Sequence, residues 1–302
     1  MDHKENIISA LTLMRNNAEN SFQRRAYDKV IKNLQQIKDP ITSYEQIENI
    51  DGAGKKTKLK FKEIIETGSL QAAKDLGRCD DIKSDLLKIY GVGPKKANDL
   101  IKDHKIKSIA DLRSKSDKDP KILTESQKIG LICYEDLLER IPRSEMLKHK
   151  KILKYGEIVG SFRRKEDSSG DIDVMFNMTS EEFEKFVDSL IKKKYIKYIL
   201  AKGEKKMLGI CSLEGGKFRR LDLIRNSPEE YPYMILYFTG SARFNVAFRQ
   251  HCLTQGLSLN EHSFTPRVEG LKTEKDIFKH VGLEFVEPEN RIDEYSLKIT
   301  KL

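Results

Sequence analysis

Apolar positions recur at helical spacing through the first 140 residues and change to alternation beyond Pro142. Ile7, Leu11 and Met14 mark one stripe, and Val30, Ile31, Leu34 and Ile37 mark another. Asp39-Pro40 breaks the pattern, and a short segment leads to Ile50-Asp-Gly-Ala-Gly54. A second Gly-x-Gly, Gly91-Val-Gly-Pro94, follows Leu86, Leu87 and Ile89 and precedes Ala97, Leu100 and Ile101. The repeat of helix, Gly-x-Gly turn and helix predicts two helix-hairpin-helix units. Glycines let a backbone approach a phosphate, and the following helix offers free N–H groups and the positive end of its dipole. One such turn is an ordinary helix cap. Two of them, each followed by a lysine pair (Lys55-Lys56 and Lys95-Lys96), favour contact with a DNA backbone. Gly52, Gly54, Lys56, Gly91, Gly93 and Lys95 are therefore candidate DNA contacts.

After Pro142 the pattern predicts a short helix and then a strand within residues 144–159. Thr179-Ser-Glu-Glu182 has the form of a capped helix start, with Phe183, Phe186, Val187 and Leu190 as the buried stripe. Strands are predicted near 195–202, 206–213 and 217–224, the last two joined through Glu214-Gly-Gly216. A helix should follow Gly240-Ser241 and carry Phe244, Phe248 and Cys252, with short strands and a helix near 276–280 beyond Asn260.

Two aspartates stand out against this frame. Asp171-Ile-Asp173 runs into Val174, Met175 and Phe176, so strand alternation points both carboxylates the same way. Neighbouring carboxylates repel each other unless a cation lies between them. The preceding Gly160-Ser-Phe-Arg-Arg164 and Ser168-Ser-Gly170 place donors for a polyanion next to ligands for Mg²⁺. Asp222, on the alternating run Lys217-Phe-Arg-Arg-Leu-Asp-Leu-Ile224, is the candidate third carboxylate, or an ordinary strand aspartate if the strands are not neighbours.

Composition bounds the partners. The chain has 302 residues, enough for two or three domains of about 100–150 residues. Its net charge of +9 suits a polyanionic partner, although a lysine excess also serves solubility. Cys79, Cys133, Cys211 and Cys252 are widely spaced and read as reduced, buried thiols. No apolar run is long enough to span a membrane, and the first residues carry no signal-peptide core, so a soluble intracellular protein is expected. The six histidines are scattered, and no phosphoesterase-type cluster for proofreading is expected.

Gly160-Ser-Phe-Arg-Arg164, Ser168-Ser-Gly-Asp-Ile-Asp173, Arg219-Arg-Leu-Asp222, Tyr237-Phe-Thr-Gly-Ser241 and Asn260-Glu261 occur in the order found in the family X DNA polymerases. The chain resembles that family over nearly its whole length, and within it resembles DNA polymerase beta. The resemblance implies an α+β fold: an N-terminal all-helical domain with two helix-hairpin-helix motifs, a nucleotidyltransferase-type palm with a mixed sheet and helices, and a small C-terminal α/β subdomain. The implied segments are 1–78 (lyase-like, with the first hairpin), 79–141 (DNA-binding, with the second), 142–230 (palm) and 231–302 (nucleotide selection).

The resemblance also implies roles. Asp171, Asp173 and Asp222 would bind two Mg²⁺, with Mn²⁺ as a substitute, and Asp222 would lie nearest the primer hydroxyl. Arg143, Ser161, Arg164, Ser169 and Gly170 would hold the triphosphate. Tyr237, Phe238, Gly240 and Asn245 would face the sugar and base of the incoming nucleotide. Arg249, four residues after Asn245, would read the adjacent minor-groove edge, Arg220 would contact DNA or tune the aspartates, and Arg163 would at most tune them. Lys60 aligns with the lysine that forms a Schiff base with 5′-deoxyribose phosphate; the crowd of Lys55, Lys56, Lys58 and Lys62 is suited to activating it or to binding phosphate. Lys56 aligns with a 5′-phosphate ligand. Na⁺ or K⁺ is expected at the hairpins.

The chain departs from polymerase beta at Ile224 and Ala242, which replace an arginine and an acidic residue, and at Phe22 and Ala72, which replace a tyrosine and a lysine. No BRCT-like domain is expected ahead of the helices, and the turn at Glu214-Gly-Gly216 is too short to stand in for a template strand. The expected protein is a monomeric, template-dependent enzyme that fills gaps in base-excision repair, with 5′-deoxyribose-phosphate lyase activity. Its expected partners are gapped or nicked double-stranded DNA and deoxynucleoside triphosphates, in the nucleus or a cytoplasmic viral factory. Two alternatives stand beside it: a template-independent or RNA-tailing nucleotidyltransferase, and a catalytically silent protein that binds gapped DNA.

Overall fold

The computed structural model describes residues 1–18 and 20–300, without the side chains of Arg78 and Cys79. The expectation of a buried thiol at Cys79 thus lies outside the described residues. The chain divides into two compact units, Met1–Leu131 and Ile132–Leu302.

The first unit is helical: α1 (Lys4–Asn16), α2 (Ser21–Gln36), α3 (Lys55–Thr67), α4 (Gln71–Leu87), α5 (Pro94–Lys102), α6 (Ile109–Lys118) and α7 (Glu125–Ile132), which ends one residue past the division. Asn20 starts α2 by accepting the N–H of Gln23, and Ser108 starts α6 by accepting that of Asp111. Ile7, Leu11, Val30, Leu34, Phe61 and Ile64 meet in one core, so the stripes of α1, α2 and α3 are buried together. Both Gly-x-Gly turns form. Gly52 and Gly91 have φ of +89° and +81°, a region that favours glycine, while Gly54 and Gly93 are the N-caps of α3 and α5. The expected repeat is unequal, however. A helix, α4, leads to the second turn, whereas residues 45–49 before the first are only turns. So short a segment makes too few i→i−4 bonds to sustain an α-helix. The segment boundary expected between residues 78 and 79 lies inside α4.

The second unit is mixed. Its central five-stranded sheet has the order β2 (Glu157–Ile158), β4 (Ile172–Asn177), β7 (Arg219–Asn226), β6 (Lys206–Cys211), β5 (Ile196–Lys202); β4 and β7 are parallel and the other pairs antiparallel. Two further two-stranded sheets pair β1 (Ile141–Pro142) with β3 (Ser168–Ser169), and β8 (Ser258–Leu259) with β9 (Phe264–Thr265). The helices are α8 (Tyr134–Leu138), α9 (Arg143–Ile152), α10 (Gly160–Arg163), α11 (Ser180–Lys192), α12 (Tyr231–Thr239), α13 (Ala242–Thr254) and α14 (Glu274–His280). Thr179 and Glu182 form the capping box of α11, and Thr273 with Asp276 forms that of α14.

Alternation sorts the two faces of this sheet. Ile172, Val174, Phe176, Leu221 and Leu223 join Phe183 and Val187 of α11 in the main core. On the other face Met175 and Ile224 pack with Met234 and Ile235 of α12. Asp173 and Asp222 share that face, just beyond the apolar patch. A third core joins Phe244 and Phe248 of α13 to Ile277 and Phe278 of α14. Cys133, Cys211 and Cys252 are free and buried. No described helix is long and apolar enough to cross a membrane.

Candidate active site

Parallel pairing of β4 and β7 sets Asp173 directly opposite Asp222, with Asp171 one residue ahead of β4. Asp171 and Asp222 are near enough to repel the Asp173 carboxylate. Asp173 is pushed up to about 7, first by burial and then by repulsion from Asp171 and Asp222. Two cations of the chain answer this charge. Arg220 Nη2 lies 3.2 Å from each Asp222 oxygen and 3.7 Å from Asp171 Oδ2, because residues two apart on a strand share a face. Lys206 Nζ lies 3.4 Å from Asp222 Oδ2. It starts β6, and the Leu208–Asp222 register makes it a diagonal neighbour of Asp222. The sequence reading missed Lys206, because a diagonal pair is visible only once the register is known.

These carboxylates suit a hard divalent cation. Oxygen donors converge from adjacent strands, and burial with mutual repulsion already raises Asp173. Among the described residues no three His, Cys, Asp or Glu side chains are gathered closely enough to hold a metal ion, and Asp222 is paired with Arg220 and Lys206.

The Gly-Ser turn stands against the same strand. Val159 donates its N–H to the Asp173 carbonyl at 2.9 Å, Gly160 has φ +61°, and Ser161 lies in α10. Arg143 begins α9 with its guanidinium 4.5 Å from the Phe162 ring centroid, donating to Phe162 O and Glu166 O. Ser169 is nearly fully buried on β3, whose partner β1 leads into Arg143, and Gly170 is exposed beside it. Arg164 donates to Thr239 O at 2.6 Å. Gly240, with φ +66°, makes room for it: a Cβ there would sit 3.1 Å from Arg164 Nη1.

Arg163 serves another end. It donates to Glu157 Oε1 at 2.9 Å, Thr239 Oγ1 at 2.7 Å and Glu274 Oε2 at 2.7 Å. Glu274 also accepts from the fully buried Arg291 at 2.6 Å. The Gly160–Arg164 turn is thereby tied to α12 and α14 by a part-buried ion network, which the sequence showed only as an arginine of uncertain role.

Tyr237 and Phe238 stack edge to face at the end of α12, with centroids 5.2 Å apart. Asn245 Nδ2 donates to the Tyr237 carbonyl at 2.7 Å across the Gly240–Ser241 turn. Arg249 is exposed one turn farther along α13, lining a small groove with Tyr237 and Asn245. Ile224, by contrast, is buried against Met234 and Ile235, so no cation acts on the aspartates from that position.

In the first unit, Lys60 Nζ donates to the Tyr27 hydroxyl at 2.9 Å and lies 5.2 Å from its ring centroid. Tyr27, on α2, was not singled out from sequence. Lys56 and Lys95 are exposed in the first turns of α3 and α5, beside their glycine caps.

Four family models match along the chain: a helix-hairpin-helix domain over residues 2–70, the fingers domain of DNA polymerase lambda over 84–138, the DNA polymerase beta palm over 140–228 and the DNA polymerase beta thumb over 234–292. The DNA polymerase lambda of Rattus norvegicus is 31% identical over 301 residues, covering 88% of this chain and 52% of that protein. The DNA polymerase lambda of Arabidopsis thaliana is 25% identical, covering 88% and 57%, and the DNA nucleotidylexotransferase of Xenopus laevis is 22% identical, covering 90% and 64%. The chain therefore spans between about half and two thirds of the length of these relatives. With helix-hairpin-helix, fingers, palm and thumb in order, and aspartates paired across β4 and β7, the chain belongs to the family X DNA polymerases.

Proposed function

We propose that this chain is a template-dependent DNA polymerase that fills short gaps during base-excision repair and carries a 5′-deoxyribose-phosphate lyase in its first unit. The observation that carries the polymerase reading is the register of Asp173 with Asp222 beside the Gly160–Arg164 turn. Asp171, Asp173 and Asp222 would hold Mg²⁺, or Mn²⁺ in its place, which when bound polarises a primer hydroxyl and neutralises a triphosphate. Asp222 accepts the hydroxyl proton. Arg143 and Arg164, with Ser161, Ser169 and Gly170, orient the triphosphate for in-line attack. Tyr237, Phe238, Gly240 and Asn245 face the sugar and base, and Arg249 reads the minor groove.

Gly52, Gly54, Lys56, Gly91, Gly93 and Lys95 hold the DNA backbone, with Na⁺ or K⁺ at the turns. Arg220 neutralises the aspartates and lies toward the primer. The four segments bounded near 78, 141 and 230 are the working parts of a monomer, with α4 running through the first boundary. Lys60 is the lyase nucleophile, and its bond to Tyr27 supports that role.

Template dependence is supported by the loop between β6 and β7, confined to residues 212–218 and closed by Ser212 Oγ donating to Gly216 O. A primer offered each of the four templating bases tests it. Addition should follow the templating base. Equal tailing of a single strand lacking any template would transfer the reading to a nucleotidylexotransferase. Binding of gapped DNA without turnover would leave a silent binding protein.

A further inference from the structure

The chain supplies an anion of its own to the arginine assigned to the triphosphate. Glu166 Oε1 accepts from Arg164 Nε at 3.1 Å and from Arg164 Nη2 at 2.5 Å. Its second oxygen lies 3.5 Å from Arg140 Nη2. The Glu166 backbone belongs to the same turn: its N–H donates to Ser161 O at 3.0 Å, and its carbonyl accepts from Arg143 at 3.3 Å. A carboxylate is therefore set between Arg140 and Arg164, on a turn whose backbone also bonds Arg143 and Ser161.

The two partners differ in freedom. The Arg164 side chain is 17% exposed and fixed on its far side by Thr239 O, whereas that of Glu166 is 43% exposed and opens to solvent. A phosphate oxygen offers the same charge-assisted acceptor to the Nε–Nη2 edge. The two anions cannot share that edge, and at contact distance they repel.

We infer that Glu166 is an internal competitor of the nucleotide's phosphates. It holds the Arg164 edge until a polyphosphate arrives, and it must swing out for the polyphosphate to bind. Glu166 thus sets nucleotide affinity while touching neither sugar nor base. The inference rests on the reading that the 160–164 turn takes a triphosphate, and the test separates the two.

Inorganic tripolyphosphate is titrated calorimetrically into the intact chain without DNA or divalent cation, at low salt, where surface electrostatics are least screened. Glu166→Gln and Glu166→Ala should bind about threefold more tightly than the wild type, the scale of a partly exposed ion pair. Arg164→Ala should bind more weakly. Asp167→Asn changes the net charge equally from the adjacent exposed position and should bind as the wild type does.

Equal or weaker binding by both Glu166 variants, with Arg164→Ala weakened, overturns the competitor and leaves the phosphate turn standing. The same gain in Asp167→Asn also overturns it, since general charge would then suffice. Undiminished binding by Arg164→Ala removes the phosphate reading and the inference with it.

Discussion

Asp173 on β4 and Asp222 on β7 are register partners across parallel strands, and Asp222 pairs with Arg220 and Lys206. Burial and the neighbouring carboxylates Asp171 and Asp222 drive Asp173 toward its neutral form. The first consequence is a pH dependence. In the folded chain without metal, Asp173 keeps its proton up to about 7, whereas the unfolded value is 3.8. The folded state therefore binds more protons across that window, and the stability Asp173 contributes is full below 3.8 and lost as pH rises to about 7. Asp173→Asn should exceed the wild type in chelator by about 2 kcal/mol at pH 8, after allowance for coupling, and by little at pH 4. Mg²⁺ should narrow the gap at pH 8. Denaturant melts at both pH values check this, and a gap independent of pH would contradict it.

Glu274 joins Arg163 to Arg291, so its loss takes the carboxylate from the fully buried Arg291, while Arg163 keeps Glu157. Glu274→Gln should destabilise the second unit by about 3 kcal/mol, the cost of breaking one side of a buried pair. Arg163→Ala, which leaves Glu274 paired with Arg291, should cost less. Equal melting of both variants and wild type would show the network to be idle.

On the proposed lyase role, the bond from Lys60 to Tyr27 orders the attacking amine. Tyr27→Phe should slow borohydride trapping of a 5′-deoxyribose-phosphate end by about fivefold, the worth of one hydrogen bond, and Lys60→Ala should abolish it. An adduct that persists in Lys60→Ala would move the nucleophile elsewhere.

What was legible depended on sequence distance. Alternation in Ile172–Asn177 and Arg219–Asn226 is local, so the shared face of Asp173 and Asp222 could be read once the two strands were taken as neighbours. The capping box at Thr179 and the helix after Ser241 were local too. Contacts set by tertiary packing were not. Lys206 reaches Asp222 only through strand register, Lys60 reaches Tyr27 across 33 residues, and Arg163 reaches Glu274 across 111. The first hairpin was legible from its Gly-x-Gly and the helix that follows; that the short segment before it, residues 45–49, would be turns was not. Ile224 was noticed as a departure. That it joins an apolar patch under α12 follows from the packing of Met234 and Ile235, which periodicity alone does not reveal.

Extension of a primer across a one-nucleotide gap with a 5′-phosphate, with Mg²⁺, beside Asp222→Ala, tests the proposed polymerase most directly. The wild type should make a single templated addition, and the variant should lose roughly a hundredfold or more, the scale set by removing one preorganised group from a charged transition state. Undiminished extension by Asp222→Ala, in a variant that melts as the wild type does, would contradict it.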